Sequence, residues 1–441
     1  MFSRCRMGLL ALLILVASVS PLGRAGVASV LGPSAFLLAF VGDTDEADQD
    51  FLATLDLRRG STTLGKVIAT TPIGTKGSMP HHMEYWLPPS GRLLFANSHH
   101  HEDILLLDIH DPLHVAIEKR IRPPAPLRFP HDFYRLPNGN VLVGFLRSEG
   151  PSPRAGDKTF PGGPGGIAEY DASGRLLRRA SAAADTREPV RVYALTMLPK
   201  IDRIVTTSAA MMEESAADVV QVWRYSDFKL LHTIPVPPGV NRDGSVALTA
   251  AHAPFALRAL ANGNVLVSTY GCGLNLLTGV TSSTPQIRNV YTFDADEPKG
   301  PGEYRGACAV PLILRDKLWL MPVGGRSTLV TLDISDLSHP RERSRLLLPH
   351  GFAPHWLARD PASDRLVLCA HNGGQQGFFI LKIDERTGHT SFDDSVHVAG
   401  SSAGYIDLTS QRWPHGRTGP GWAHSALFLP AEYKPETASL R

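Results

Sequence analysis

The chain has 441 residues, with 44 basic against 42 acidic side chains and a formal charge of +2. No run of Lys or Arg breaks that balance, so the electrostatic footprint of a nucleic-acid-binding protein is absent. An apolar content of 43% is ample for a packed core, and 40 glycines with 35 prolines suit a turn-dense all-β protein.

The N-terminus reads as a secretory signal. Arg4 and Arg6 form a basic stretch, residues 8–19 an apolar one, and Gly23-Arg24-Ala25 a small-residue cleavage site. The apolar stretch is shorter than the roughly 20 residues that a bilayer core of about 30 Å requires. Cys5 precedes it, so it does not fit a lipoprotein cysteine. The expectation is a signal peptide over 1–25 and a single domain over 26–441, periplasmic or secreted, with no membrane span after processing. Processing removes three arginines and no acid, which takes the formal charge from +2 to −1.

Beyond the signal, strands dominate. FLLAFVGDTDEADQDFLATLDL (residues 36–57) reads as the later strands of a unit that lacks its first. One short unit then recurs: an extended stretch, a polar turn with Gly or Asp, an aliphatic strand, and a third alternating strand. Three units open on Pro-His: PHHMEYWLPPSGRLLF (80–95), PHDFYRLPNGNVLV (130–143) and PHWLARDPASDRLVL (354–368). Second strands stand out at 91–97, 139–145, 202–208, 263–269, 316–322 and 364–370. Unit starts near His82, His131, Val192, Phe255, Val310 and His355 lie roughly 45 to 60 residues apart, the period of a propeller blade. The last strand, WAHSALFLP (422–430), stands alone. Pairing it with 36–57 closes a ring and leaves no open sheet edge. The fold expected is all-β, a seven-bladed β-propeller closed by pairing of its N- and C-terminal strands. The Gly/Pro-rich segment 149–166 reads as a loop inserted in the second blade. Cys272, Cys308 and Cys369 show no CxxC spacing and are odd in number, so each is expected as a free thiol.

The first strand of each blade lines the central channel, so residues at successive strand starts crowd around the axis. His82, His131 and His355 share this position by their spacing to the following turn, and His81 adjoins His82. His424, in the ring-closing strand, has the same Ala/Pro-His context. His252 has the Ala-His context but falls three residues early, and stands as a sixth candidate. Neutral imidazoles in one place suit zinc, copper, iron or nickel rather than magnesium or calcium. Glu84 and Asp132, next to the histidines in sequence, are the acids placed to orient them. The tract His99-His100-His101-Glu102 falls in a loop between second and third strands and is expected to lie out from the axis, exposed. No Gly-rich phosphate loop, serine elbow or HExxH is present.

With these residues in view, the chain resembles the selenium-binding protein family, whose bacterial members include copper-dependent methanethiol oxidases. The resemblance is carried by the His81-His82 pair, by HEDILLLDIHDPLHVAIEKRI (101–121), and by FPHDFYRLPNGNVLVGFLRS with GGIAEYDASGRLLRR (129–179). TLDISDLSHPRE (331–342) and GPGWAHSALFLP (419–430) continue it in the same order. It implies oxidation of a small thiol: methanethiol, dioxygen and water give formaldehyde, hydrogen sulfide and hydrogen peroxide. It implies copper as cofactor, with His81, His82, His131, His355 and His424 as ligand candidates. The family's cysteine pair after the paired histidines is missing here, where Tyr85, Trp86 and Leu87 stand, so selenium binding through that thiol is not expected. The competing class is a non-catalytic metal- or protein-binding propeller, since propellers serve unrelated functions.

Overall fold

In the computed structural model the described residues are 34–149, 162–211, 215–294, 308–371, 376–397, 402–409 and 411–431. The signal segment 1–25 lies outside them. Each repeat forms a four-stranded antiparallel sheet, and the seven sheets are arranged as a β-propeller. The innermost strands of blades one to six are Pro80–Met83, Leu127–Arg135, Val192–Leu198, Pro254–Ala259, Leu312–Leu314 and Pro354–Arg359. The other strands of each blade follow outward in chain order. Blade six gains a fifth strand, Tyr405–Asp407, on Gly377–Asp384.

Blade seven is built from both ends of the chain. Gly421–Leu429 is innermost, followed outward by Phe36–Asp43, Phe51–Asp56 and Val67–Pro72. The closing register runs from Phe36 opposite Leu429 to Asp43 opposite Gly421. Every residue of those two strands is buried, so the seam is also core.

The repeated Gly or Asp has a backbone cause. The turn after the innermost strand takes a left-handed conformation, at Gly91 (φ +65°), Gly139 (+88°) and Gly263 (+85°). Blades three and five use Asp202 (+57°) and Asp316 (+53°) instead. Glycine pays no Cβ penalty there, and aspartate tolerates it better than most residues. Between blades, aliphatic faces interlock: Leu142 and Ile167 of blade two meet Val192, Ile204 and Trp223 of blade three. Leu320 and Leu329 of blade five likewise meet Leu357, Leu368 and Phe379 of blade six. Among the described residues no helix is long and apolar enough to cross a membrane.

Two expectations are corrected. Gly163–Tyr170 is a strand of blade two, so the insertion ends earlier than 166, and residues 150–161 lie outside the described residues. Cys272 and Cys308 are not free thiols: they form a disulfide across 36 positions of sequence, with Cα atoms 5.0 Å apart. Cys272 lies in the loop between the second and third strands of blade four, and Cys308 precedes the innermost strand of blade five. These two kinds of segment reach the same face of the ring, which sequence spacing does not reveal. Cys369 is free and buried.

Candidate metal centre

The matched histidine position is a β-bulge. In blade one, Pro80 and Met83 face Ser98 and Ala96, which leaves one extra residue on the histidine strand. The same surplus separates Pro130 from Asp132, Pro354 from Leu357, and Ala423 from Ser425. A bulge interrupts the ladder, bends the strand and re-aims a side chain. Proline suits its edge because an N–H is not needed there. Blades three and four carry the bulge too, but with Tyr193 and Phe255 in place of histidine. The imidazoles therefore come from four consecutive blades (six, seven, one and two), and aromatic rings take the neighbouring positions.

His81, His82, His131, His355 and His424 are all 1% exposed or less. The ring of His81 stacks on His424 at 4.1 Å and on His82 at 4.2 Å, and lies 4.9 Å from His131. His355 and His424 are 4.4 Å apart. The Nε2 atoms of His81 and His131 approach to 3.0 Å. Candidate ligand atoms of His81, His82 and His131 lie within 4.8 Å of one another, and so do those of His82, His355 and His424.

The carbonyls of the bulged strands orient these rings. His131 Nδ1 faces the Tyr193 carbonyl at 2.7 Å, and His82 Nδ1 faces the His131 carbonyl at 3.1 Å. Each Nδ1 is then the protonated nitrogen, which leaves Nε2 as the donor to a metal. Asn97 braces this arrangement, accepting the His82 N–H at 2.7 Å and donating to the Pro130 carbonyl at 2.7 Å. Burial pushes the His131 pKa down to about 3, and burial with mutual repulsion holds His81, His82, His355 and His424 well below the usual imidazole range. The rings are neutral at pH 7, the state a metal requires.

Four sequence expectations change. Glu84 does not orient an imidazole: it accepts Arg135 Nε at 2.7 Å, Arg135 Nη2 at 2.5 Å and the Phe95 N–H at 2.8 Å. Asp132 likewise turns away, taking the Leu195 N–H at 2.9 Å on Oδ2, with burial raising its pKa to about 6. Strand alternation explains Asp132, the immediate neighbour of channel-facing His131; Glu84, two positions from His82, is held instead by Arg135 of the next blade. His252 stands apart, with its side chain 55% exposed and its Nδ1 paired with Asp218 at 2.7 Å. It caps a short 3-10 turn before the blade-four strand, whose channel position belongs to Phe255. His99 was expected outside with His100 and His101. Those two are exposed, but His99 is 1% exposed, 5.2 Å from His81 and edge-on to Phe129 at 4.9 Å.

Sequence reasoning missed His371 and the aromatic wall. His371 follows the second strand of blade six, solvent-exposed yet flanked by protein, with its ring 4.7 Å from His355. Tyr193 lies 3.9 Å from His131, and its hydroxyl meets that of Tyr270 at 2.6 Å. Trp356 lies 5.3 Å from His82, and Tyr85 stacks on it at 4.7 Å. A buried polar strand end (Asn97) and aromatics at unit starts were the available signals.

The donor set is purely imidazole, with buried nitrogens that have no hydrogen-bond partner: Nδ1 of His81, Nε2 of His82, and both nitrogens of His355. Such a set fits copper, zinc, iron or nickel and does not fit magnesium or calcium.

No protein-family model and no curated protein matches this sequence. Solved structures do. A hypothetical selenium-binding protein from Sulfolobus tokodaii superposes with a TM-score of 0.67 at 15% identity, covering 89% of this chain and 93% of that one. The likeness is one of fold. The periplasmic gluconolactonase of Pseudomonas aeruginosa gives a TM-score of 0.55 at 14% identity over 90% and 97% of the two chains. A putative 6-phosphogluconolactonase from Bacteroides uniformis gives 0.54 at 13% over 84% and 98%. The chain thus shares the β-propeller architecture of these proteins.

Proposed function

We propose that this chain is an exported copper protein that oxidises a small thiol, with the buried histidine cluster as its metal centre. The observation that carries this reading is the convergence of five neutral imidazoles from four consecutive blades, with unpartnered nitrogens aimed at one another. The sequence resemblance and the selenium-binding structural relative support it, and make methanethiol the first substrate to test. One methanethiol, one dioxygen and one water then balance against formaldehyde, hydrogen sulfide and hydrogen peroxide. Bound copper supplies a soft acceptor for sulfur and a one-electron couple.

The chain's own residues hold and shelter that centre. The Tyr193 and His131 carbonyls fix the tautomers of His131 and His82, so both Nε2 atoms are presented without reorganisation. Tyr193, Phe255 and Trp356 wall the cluster with apolar surface, which excludes water and strengthens electrostatic interactions inside. A gluconolactonase-like hydrolysis, by contrast, calls for a carboxylate-rich centre, and Glu84 and Asp132 are committed to the blades.

A second reading, a metal holder without catalysis, is favoured by the near-complete burial of all five rings. One experiment separates the two: elemental analysis of the purified full chain, joined to oxygen uptake with methanethiol. Copper with thiol-dependent uptake supports the oxidase. A bound transition metal without such uptake supports the holder, and a chain that retains no metal refutes both.

A further inference from the structure

We propose that the histidine cluster is built to hold two late transition-metal ions rather than one, an inference that rests on reading the cluster as a metal centre. Six imidazoles are buried side by side: His81, His82, His99, His131, His355 and His424. Both nitrogens of His99 lack a hydrogen-bond partner, as do both nitrogens of His355, Nδ1 of His81 and Nε2 of His82. A tetrahedral ion accepts four of the six donors at most. The remaining two imidazoles would stay buried with orphaned nitrogens, an arrangement that folded proteins avoid.

The geometry already divides the set. Donor atoms of His81, His82 and His131 form one close group, and those of His82, His355 and His424 form another. His82 belongs to both, yet it cannot serve both. Its Nδ1 faces the His131 carbonyl, and a neutral imidazole has a single lone pair for a metal, on Nε2. That Nδ1 edge is turned to blade two, so Nε2, across the ring, is assigned to the side of blades six and seven. The first ion then takes His81 and His131, whose Nε2 atoms lie 3.0 Å apart, and the nearest further imidazole is that of His99, its ring 5.2 Å from that of His81, which would turn in to give the third donor. The second takes His82, His355 and His424, with His371 at the mouth 4.7 Å from His355. Three imidazoles for each ion leave an open position on both, and paired ions a few ångströms apart are a known way to hold one small reactant between them. The carbonyl-fixed Nδ1 atoms and the absence of carboxylate donors in either group restrict the ions to soft or borderline metals.

The test is stoichiometry. The metal-free full chain is titrated with Cu(I) against a chromophoric chelator, and copper per chain is counted after desalting. Two equivalents are expected for the unaltered protein and for His100→Ala, whose imidazole is exposed in the loop. About one is expected for His131→Ala and about one for His355→Ala, each variant keeping the other group. A single equivalent in the unaltered protein overturns the proposal, and so does loss of all copper from each variant. Should the variants fold poorly, electron paramagnetic resonance of the unaltered protein loaded with Cu(II) decides. Two coupled ions give a half-field transition and an integrated signal below the total copper. A signal that accounts for all copper as isolated ions overturns the proposal. A chain with one ion that still consumes oxygen with methanethiol sinks this inference alone, whereas two ions without such uptake sink the oxidase reading alone.

Discussion

Removing the Glu84 carboxylate tests whether that acid serves the blades or the metal. Glu84 is 2% exposed and takes three hydrogen bonds, two from Arg135 and one from the Phe95 N–H. Arg135, itself only 9% exposed, also donates to the carbonyls of Gly139 and Leu93. The pair therefore clamps blade one to blade two a few residues below His82 and His131. In Glu84→Ala the guanidinium stays buried with its counter-charge gone, a loss of about 3–5 kcal/mol. Glu84→Gln keeps an acceptor and is expected to cost less, about 1–3 kcal/mol. Guanidinium denaturation of the metal-free chain measures both, and copper content per folded molecule is measured alongside. The expected outcome is a large stability loss in the alanine variant with copper content per folded molecule unchanged. Near-native stability combined with lost copper would refute the assignment and return Glu84 to the imidazoles.

His131→Ala should lower copper content and thiol-dependent oxygen uptake while leaving the β-sheet circular dichroism intact; equal behaviour of His100→Ala would contradict the channel site. Burial holds His99 and His131 near a pKa of about 3, whereas the unfolded chain takes up protons below about 6.5. The metal-free protein is therefore fully stabilised above pH about 6.5 and loses stability as pH falls from there toward 3, by up to about 1.4 kcal/mol per pH unit for each such ring. Thermal melts across that window check it, and a flat profile would be inconsistent. Deleting the chain from Gly421 onward exposes the inner edge of Phe36–Asp43, a strand buried along its whole length and apolar up to Gly42, and should give an aggregating product by light scattering. Cys272→Ala with Cys308→Ala, which opens a loop across 36 positions, should cost about 3–4 kcal/mol in denaturant unfolding if chain entropy dominates.

The architecture was legible because one physical device repeats. A left-handed turn favours Gly or Asp, and a bulge tolerates Pro, so Pro80 and Pro130 each announce a strand start whose following turn is marked by Gly91 and Gly139. The seam was legible because a buried strand at 421–429 had no sequence neighbour to pair with. The site's details depended on contacts that sequence distance hides. His99 reaches the cluster because its N–H bonds the Met79 carbonyl at 3.1 Å while His100 bonds Ser78 at 3.0 Å, which folds the loop back over the start of blade one. Glu84 lies only two positions from His82, but its partner Arg135 comes from the next blade. His252 had the right neighbour and the wrong register, which mattered more.

The blade-seven seam also sets an order of events. His424 is carried on the last strand among the described residues, whereas its stacking partner His81 belongs to the first complete blade. The nascent chain can hold blades one to six, and four of the five matched histidines, long before the fifth exists. A finished ligand set therefore appears only when the ring shuts, and an ion bound across that seam would resist the unzipping of the one blade whose strands come from opposite ends of the chain. On the proposed reading, completing the donor group of His82, His355 and His424 and closing the ring would be two descriptions of one late step.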